Sequence, residues 1–108
     1  MRRGEIWVVG EGIYAKKPRP ALVIQDELFE LSGSVTVIPM TSLLKDAPLF
    51  RVRIYATETT GLRHDSDVMV DKITTIKQSN VTDRVGKLTS SDLVSIERLM
   101  LAHLGIAR

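Results

Sequence analysis

The stretch KPRPALVIQ, residues 17–25, passes from a basic, proline-interrupted segment directly into a continuous apolar run. Its two prolines fix φ at their own positions and push Lys17 and Arg19 toward extended backbone, which stiffens the segment. The run Ala21–Ile24 is apolar at every position, and this predicts a buried β-strand entered just after a proline, where proline is tolerated. The stretch therefore predicts a rigid cationic loop at the entrance of a core strand.

Short β-rich runs separated by turn residues lie on both sides of this stretch and fill most of the first three quarters of the chain. They predict further strands at Glu5–Val9, Val35–Met40, Leu49–Tyr55 and Val85–Leu88. The region Asp67–Ile76 is also strand-like, but its apolar residues change face part-way along. This predicts a bulge or a change of sheet near Asp71.

The run Leu49–Tyr55 alternates between two kinds of side chain. Apolar residues at every second position predict a face that packs on the core. Arg51 and Arg53 occupy the other face, where they meet either water or a polyanion.

The last quarter of the chain has a helical period. The residues Asp92–Leu104 predict a helix, capped by Thr89, Ser90 or Ser91 and ended by Gly105. Its apolar arc is wider than one core contact needs, so either a second apolar neighbour such as another subunit covers it, or the helix is wedged deeply into its own sheet. The fold class is mainly β with a C-terminal helix (α+β), in a single domain over residues 1–108.

Composition excludes several classes of function. The chain has 108 residues, no cysteine and two histidines, which removes disulfides, thiolate metal sites and cysteine nucleophiles and disfavours a metal enzyme. No segment approaches the ~20 apolar residues of a membrane span, and no signal-like apolar run follows the first residues, so a cytoplasmic protein without a membrane partner is expected. The net charge is +2, but residues 1–20 alone carry +3, and we expect them to contribute to any anion-binding surface.

Four residues at three places in the chain are candidates for chemistry, each with a simpler explanation beside it. Arg19 can hold a phosphate through its planar guanidinium, or it is an ordinary surface charge. Thr41 and its neighbour Ser42 follow a strand and either donate to phosphate oxygens or close a turn. Asp71 lies in a strand-like run and acts as a base, orients an arginine, or pairs with Lys72 or Arg53.

Taken in order, these segments resemble the MazF/PemK family, the endoribonuclease toxins of type II toxin–antitoxin systems. The resemblance runs through RGEIW, KPRPALVIQ, VTVIPMTS, APLFRV, MVDKITTI, VGKL and the final helix ending in LGI. It implies a small, twisted, SH3-like β-barrel of the MazF/PemK/CcdB type that acts as a homodimer. It also implies cleavage of single-stranded RNA at short motifs without a metal or other cofactor, by attack of the ribose 2′-hydroxyl, leaving 2′,3′-cyclic phosphate and 5′-hydroxyl ends and inhibiting growth.

The same resemblance implies roles for individual residues. Arg19 contacts the phosphate oxygens and donates a proton, Thr41 fixes the scissile phosphate by a hydrogen bond, and Asp71 is the general base. The commoner Gly-Ser-Glu segment before the Arg-Pro motif is replaced here by EGIYAKKP, with Tyr14 as a platform for base stacking. The RNA-binding set comprises Tyr14, Lys16, Lys17, Ser42, Arg51, Arg53 and Lys72.

The resemblance also implies a cognate antitoxin, a separate small protein whose acidic, disordered tail covers this site. Two other functions remain open at this point. The related CcdB toxins poison gyrase, but they rely on a tryptophan near the C-terminus, whereas the only tryptophan here is Trp7. A non-catalytic RNA-binding or interaction module is the other alternative, against which the presence of Arg19 and Thr41 argues.

Overall fold

The computed structural model describes residues 1–10 and 17–107. Within these ranges the β-strands are β1 Glu5–Val9, β2 Arg19–Val23, β3 Ser34–Thr41, β4 Arg51–Ile54, β5 Ser66–Met69, β6 Thr74–Lys77 and β7 Val81–Lys87. One α-helix, α1 Ser90–His103, follows them, and short 3₁₀ helices span Glu27–Ser32, Val70–Lys72 and Gln78–Asn80. No helix in these ranges is both long and apolar enough to cross a lipid bilayer.

The strands form one antiparallel sheet in the order β4-β5-β3-β2-β1-β7, with β6 paired to β3 beside this path. The predicted fold class, mainly β with a C-terminal helix, is confirmed. Within the described ranges the sheet is twisted but not closed into a full barrel, because β4 and β7 remain at its two ends. Strand β2 pairs with β3 only from Ala21 onward, so the prolines of the basic segment lie at the start of the strand.

Strand β3 is long enough to pair with two different strands on one side. Its first half pairs with β6, and its last two residues, Met40 and Thr41, pair with β5. The 3₁₀ helix Val70–Lys72 separates β5 from β6 and allows the chain to move from one position to the other. This is the change of sheet that was predicted near Asp71.

The core lies between the sheet and α1. Ile6, Leu22, Ile38 and Met40 project from four neighbouring positions of the sheet and are completely buried, together with Ile96 of the helix. A smaller cluster, which includes Val9, Ala21, Val23, Val35 and Val37, occupies the opposite face. Even-numbered residues of these strands therefore fill one face of the sheet and odd-numbered residues fill the other, as the period of two in a strand requires.

Helix α1 begins at a Thr89 cap, whose hydroxyl accepts from the Asp92 N–H at 3.2 Å, and it ends before Gly105, which has φ of +73°. Only Ile96 of the helix is fully buried, while Val94, Leu101 and Leu104 on its flank stay exposed. The helix is therefore not wedged deeply into its own sheet, and an apolar strip is left for a second neighbour.

Gly86 of β7 is required by a close approach of the backbone. A Cβ atom at this position would lie 2.3 Å from the Thr60 carbonyl oxygen, inside any permitted contact. The neighbouring Lys87 N–H donates to the Thr59 carbonyl at 3.0 Å. These contacts hold the segment 57–61 against β7 and so fix where the following residues, Arg63 and His64, lie.

Glu5 ties β1 to β7 through its carboxylate. One oxygen accepts from the Arg2 N–H at 2.6 Å and from the Trp7 indole N–H at 3.2 Å, and the other accepts from Arg84 Nε at 2.8 Å. Burial by itself raises the pKa of Glu5, but these hydrogen bonds outweigh it and lower the pKa from 4.5 to about 2.

The low pKa of Glu5 gives its stabilising effect a defined pH dependence. Because the folded-state pKa lies below that of the unfolded chain, the contribution is complete above about pH 4.5 and is lost as the pH falls toward about 2. Glu5→Gln should lower the free energy of unfolding by about 1.5 kcal/mol at neutral pH. Urea unfolding of both proteins should show this difference shrinking on acidification, and a difference that stays constant across that range would contradict the assignment.

Candidate active site

Three polar side chains line up across the sheet at the end of β3, and Arg19 of β2 lies near them. Thr41 pairs with Asp67 of β5, and Asp67 pairs in turn with Arg53 of β4. The pairing of β2 with β3 ends at Ala21↔Pro39, and Arg19 and Thr41 lie two residues beyond that pair on their strands. Both residues line one cavity, which brings them close together at this end of the sheet.

A cavity of about 220 Å³ opens beside this row, and we call it the first cavity. Its polar lining comes from Lys17, Arg19, Thr41 and Arg51. Apolar side chains, among them Val9, Pro39, Leu43 and Met69, form the rest of its wall. The two residues that the sequence singled out on separate strands, Arg19 and Thr41, therefore share one small, positively charged cavity.

The Thr41 hydroxyl is held in a defined orientation. It is only 8% exposed, and its oxygen accepts a hydrogen bond from the Leu43 N–H at 3.1 Å. The turn-closing role that the sequence offered for Thr41 is therefore present. Because the bond uses a lone pair of the hydroxyl, the proton remains able to donate to a bound anion.

Arg19 differs from most other arginines near the site. Its side chain is exposed and makes no hydrogen bond or ion pair to any residue in the described ranges. A guanidinium whose five N–H groups are uncommitted can bind a phosphate through two parallel hydrogen bonds.

Arg51 is the second guanidinium at the first cavity, and part of it is already engaged. Its Nη1 donates to the Leu43 carbonyl at 2.9 Å and to Asp67 Oδ2 at 3.2 Å. Its Nη2 makes a weak contact with the Met69 sulfur at 3.8 Å. The edge formed by Nε and Nη2 is the one left to bind an anion.

A second cavity, of about 520 Å³, shares Arg19, Pro20 and Met40 with the first. Its polar lining includes Ser42, Arg63, His64, Ser66 and Arg84. The two cavities meet at these shared residues, and we call them together the groove; its lining carries cations and hydroxyls. This is the chemistry that recognises phosphates and sugars along a nucleic-acid strand.

Other predicted site residues lie elsewhere. Asp71 is an exposed residue of the 3₁₀ helix Val70–Lys72, which packs against α1, and neither Asp71 nor Lys72 lines either cavity. Arg53 lies outside both linings as well and bonds Asp67 instead. Tyr14 and Lys16 lie outside the described residues.

The described ranges contain no group of three His, Asp or Glu side chains arranged to hold a metal ion.

Residues 2–104 match the family described as "PemK-like, MazF-like toxin of type II toxin-antitoxin system". This match covers nearly the whole chain and includes every residue of the row at the end of β3. The chain belongs to the PemK/MazF-like toxin family.

Two relatives show how close this MazF-like toxin lies to proteins of that kind. A probable endoribonuclease MazF of Mycolicibacterium smegmatis is 49% identical over 108 residues, which cover 99% of each chain. Endoribonuclease MazF9 of Mycobacterium tuberculosis is 30% identical over 116 residues and is covered to 98%, as is this chain.

Solved structures share the fold of this MazF-like toxin. The Mycobacterium tuberculosis toxin MazF-mt6 aligns with a TM-score of 0.81 at 22% identity, covering 96% of this chain and 99% of the other. An endoribonuclease in complex with its cognate antitoxin, from a mycobacterial species, also has a TM-score of 0.81, at 17% identity and with 100% and 98% covered. At these identities the likeness concerns the fold.

Sequence reasoning about this MazF-like toxin missed Asp67 and, in the second cavity, Arg63, His64, Ser66 and Arg84. Asp67 is 1% exposed, and its Oδ1 accepts from Arg53 Nε at 2.7 Å. Burial raises the pKa of Asp67, but the hydrogen bonds from Arg53, from the Lys45 N–H and from Arg51 outweigh it and hold the pKa below its ordinary value. The sequence does contain a sign of this pairing. Asp67 is an acidic residue in a strand-like run, and the preceding predicted strand carries Arg51 and Arg53 on one face.

Proposed function

We propose that this chain is the toxin of a type II toxin–antitoxin system, a single MazF/PemK-like domain over residues 1–108 that cuts single-stranded RNA. The observation that carries the proposal is the meeting of Arg19 and Thr41 in one cavity of about 220 Å³, at the positions where the family resemblance expects them. Membership of the toxin family and two relatives named as endoribonucleases support it.

The substrate is the backbone of an RNA strand. The first cavity is large enough for a phosphate with part of its sugar, and the second extends the groove toward the next nucleotide. Lys17, Arg51, Arg63 and Arg84 add positive charge along this path, so binding is mostly to phosphates and weakens as salt is added. Ser42 supplies a hydroxyl at the junction of the third strand and the groove.

The reaction needs no external nucleophile. The ribose 2′-oxygen attacks the adjacent phosphorus, the new O2′–P bond forms, and the P–O5′ bond breaks. The 2′-hydroxyl proton passes to a base, and the leaving 5′-oxygen receives a proton, which gives a 2′,3′-cyclic phosphate and a 5′-hydroxyl. The protein's task is to stabilise the negative charge on the non-bridging oxygens, and no metal-activated water is required.

Arg19 and Thr41 perform this task. Arg19 binds a non-bridging oxygen pair and stands ready to protonate the leaving oxygen, and Thr41 donates its free hydroxyl proton to the same phosphate. Arg51 adds a second guanidinium on the other side of the cavity. Each such preorganised donor contributes about a hundredfold to the rate in comparable sites.

The general base is the role for which the sequence and the geometry favour different residues. Asp71 was predicted for it, but its carboxylate belongs to the lining of neither cavity. His64 lines the second cavity together with Arg19, and imidazole is the side chain that most often moves protons near neutral pH. His64 is therefore the better-placed base within one protomer.

The assembly and location follow from the same proposal. The exposed strip of Val94, Leu101 and Leu104 on α1 supports a homodimer, because it offers an apolar surface beside the core. A cognate antitoxin with an acidic segment suits the cationic groove, and the structural relative solved in complex with its cognate antitoxin supports such a partner. A protein that acts on cellular RNA works in the cytoplasm.

The cleavage reaction gives a direct test. The purified protein, in excess EDTA, should cut a mixed-sequence single-stranded RNA to products with 5′-hydroxyl and 2′,3′-cyclic phosphate ends, identified by end-labelling and sequencing. Arg19→Ala and Thr41→Val should each lower kcat/KM by at least about a hundredfold, because each removes a donor to the phosphate.

Lys77→Ala, which removes a cation from β6 away from both cavities, serves as the matched control and should cut at the wild-type rate. Intact RNA after prolonged incubation with wild-type protein would instead favour a non-catalytic RNA-binding module. Induction that causes DNA damage while RNA stays intact would favour a gyrase poison.

The choice of base is tested by two substitutions. His64→Gln should lower kcat/KM by about a hundredfold or more, since general-base catalysis contributes that much, while Asp71→Asn should change it less than about threefold. The reverse order, with Asp71→Asn inactive and His64→Gln active, would return the base role to Asp71.

A further inference from the structure

Asp67 is the most deeply buried charged side chain among the described residues, with 1% of its surface exposed. It lies between Thr41 of β3 and Arg53 of β4 in the row across the sheet. Its two oxygens accept three hydrogen bonds, from Arg53 Nε at 2.7 Å, the Lys45 N–H at 2.9 Å and Arg51 Nη1 at 3.2 Å. The carboxylate is therefore an acceptor shared by two strands and a loop.

A buried charge of this kind is a poor device for stability. Removing a carboxylate from water costs several kcal/mol, and well-packed apolar residues often stabilise a protein as well as or better than a buried ion pair. The position faces the cavity side of the sheet, while the core side is filled by Val68 and Val70. The effect of Asp67 at this position is to hold its hydrogen-bond partners, Arg51, Arg53 and the Lys45 backbone, in fixed positions.

Arg51 is the partner with a chemical use. With Nη1 divided between Asp67 and the Leu43 carbonyl, the guanidinium plane is held at two points. Its side chain is 18% exposed, whereas that of Arg53 is 38% exposed and lies outside both cavities. The Nε–Nη2 edge of Arg51 is thus kept in position without a bound ligand, which lowers the entropy cost of binding a phosphate.

The loop after β3 depends on the same carboxylate. Lys45 donates to Asp67 through its backbone, and Leu43, two residues earlier, both lines the first cavity and accepts from Arg51. The turn is also joined to Thr41, whose hydroxyl accepts from Leu43. Thr41, the loop and Arg51 therefore form one connected network around Asp67.

We propose that Asp67 is a positioning residue for RNA cleavage: it fixes the Arg51 guanidinium at the first cavity so that Arg51 contacts the same phosphate as Arg19. The inference rests on the proposed function, because the phosphate is that of the RNA substrate. It adds to that function a buried carboxylate that never touches the substrate, and it makes Arg51 part of the phosphate site rather than of a general basic surface.

A double-mutant cycle on RNA cleavage tests the link between the two residues. The substrate is a short single-stranded RNA containing the cut site mapped with wild-type protein. We expect Asp67→Asn to lower kcat/KM about tenfold and Arg51→Ala about thirtyfold, as the loss of charge-assisted hydrogen bonds predicts. Since Asp67 acts through Arg51, the double variant should lose about thirtyfold and not the product of about 300-fold.

Rescue by guanidinium ion provides a readout that a purely structural role would not change. Low-millimolar guanidinium chloride should restore part of the activity of Arg51→Gly, because Asp67 and the Leu43 carbonyl remain to hold the ion. The same ion should restore much less activity to Arg51→Gly/Asp67→Asn. Sodium chloride at equal concentration is the control for ionic strength.

Glu97→Gln is the matched control variant, because it breaks an arginine–carboxylate pair, Arg3–Glu97, that lies away from both cavities. It should cut RNA at the wild-type rate. Thermal unfolding of every variant verifies that it is folded. If Asp67→Asn does not fold, Asp67→Ser, which keeps a smaller hydrogen-bond acceptor, replaces it in the double-mutant cycle and in the rescue experiment.

The outcomes separate the two proposals. Three results would overturn the positioning role while leaving the endoribonuclease in place. They are losses that multiply in the double variant, wild-type activity of Asp67→Asn, and equal rescue by guanidinium with and without Asp67. Absence of any RNA cleavage by wild-type protein would overturn the proposed function and the inference together.

Discussion

Strand register is the constraint on which this molecule depends. Because β2, β3, β5 and β4 are aligned with Thr41 opposite Asp67 and Asp67 opposite Arg53, one face of the sheet collects polar residues at its end. The same alternation sends Ile38, Met40 and Val68 into the core. A shift by one residue would exchange the two faces, so the same register determines both the packing of the core and the position of the cavity.

Within the described ranges, the cations at the site are of two kinds: some are paired with a carboxylate, and others are not. Asp67 partly neutralises Arg51 and Arg53, while Arg19 and Lys17 have no such partner among the described residues. The neutralised arginines keep a fixed geometry, and the unpaired cations supply the attraction for an anion. A phosphate placed between Arg19 and Arg51 would meet both kinds of cation at once.

Much of the fold followed from the sequence because its signals are local. The period of two in Arg51–Ile54, the continuous apolar run after Pro20 and the Thr89 cap each specify an element without reference to distant residues. The change of sheet near Asp71 was also foreseen, since apolar residues switch face there. Arg19 and Thr41 were found because the family resemblance joins positions that lie far apart in sequence.

The parts that escaped the sequence depend on pairing between strands. Asp67 is an acid in a strand-like run, as Asp71 is, and only the register shows that the first meets two arginines while the second lies in an exposed 3₁₀ turn. His64 reaches the groove because Gly86 lets the preceding segment lie against β7, a contact between residues more than twenty positions apart. Neither relation leaves a local pattern.

The central claim is that Arg19 and Thr41 hold one phosphate of an RNA strand. The most direct measurement is a crystal structure with a single-stranded RNA whose cleaved ribose is replaced by deoxyribose, so that the nucleophile is missing. The account predicts the phosphate after that sugar in the first cavity, within about 3 Å of the Arg19 guanidinium and the Thr41 hydroxyl. RNA bound with that phosphate outside the cavity, contacting neither side chain, would contradict it.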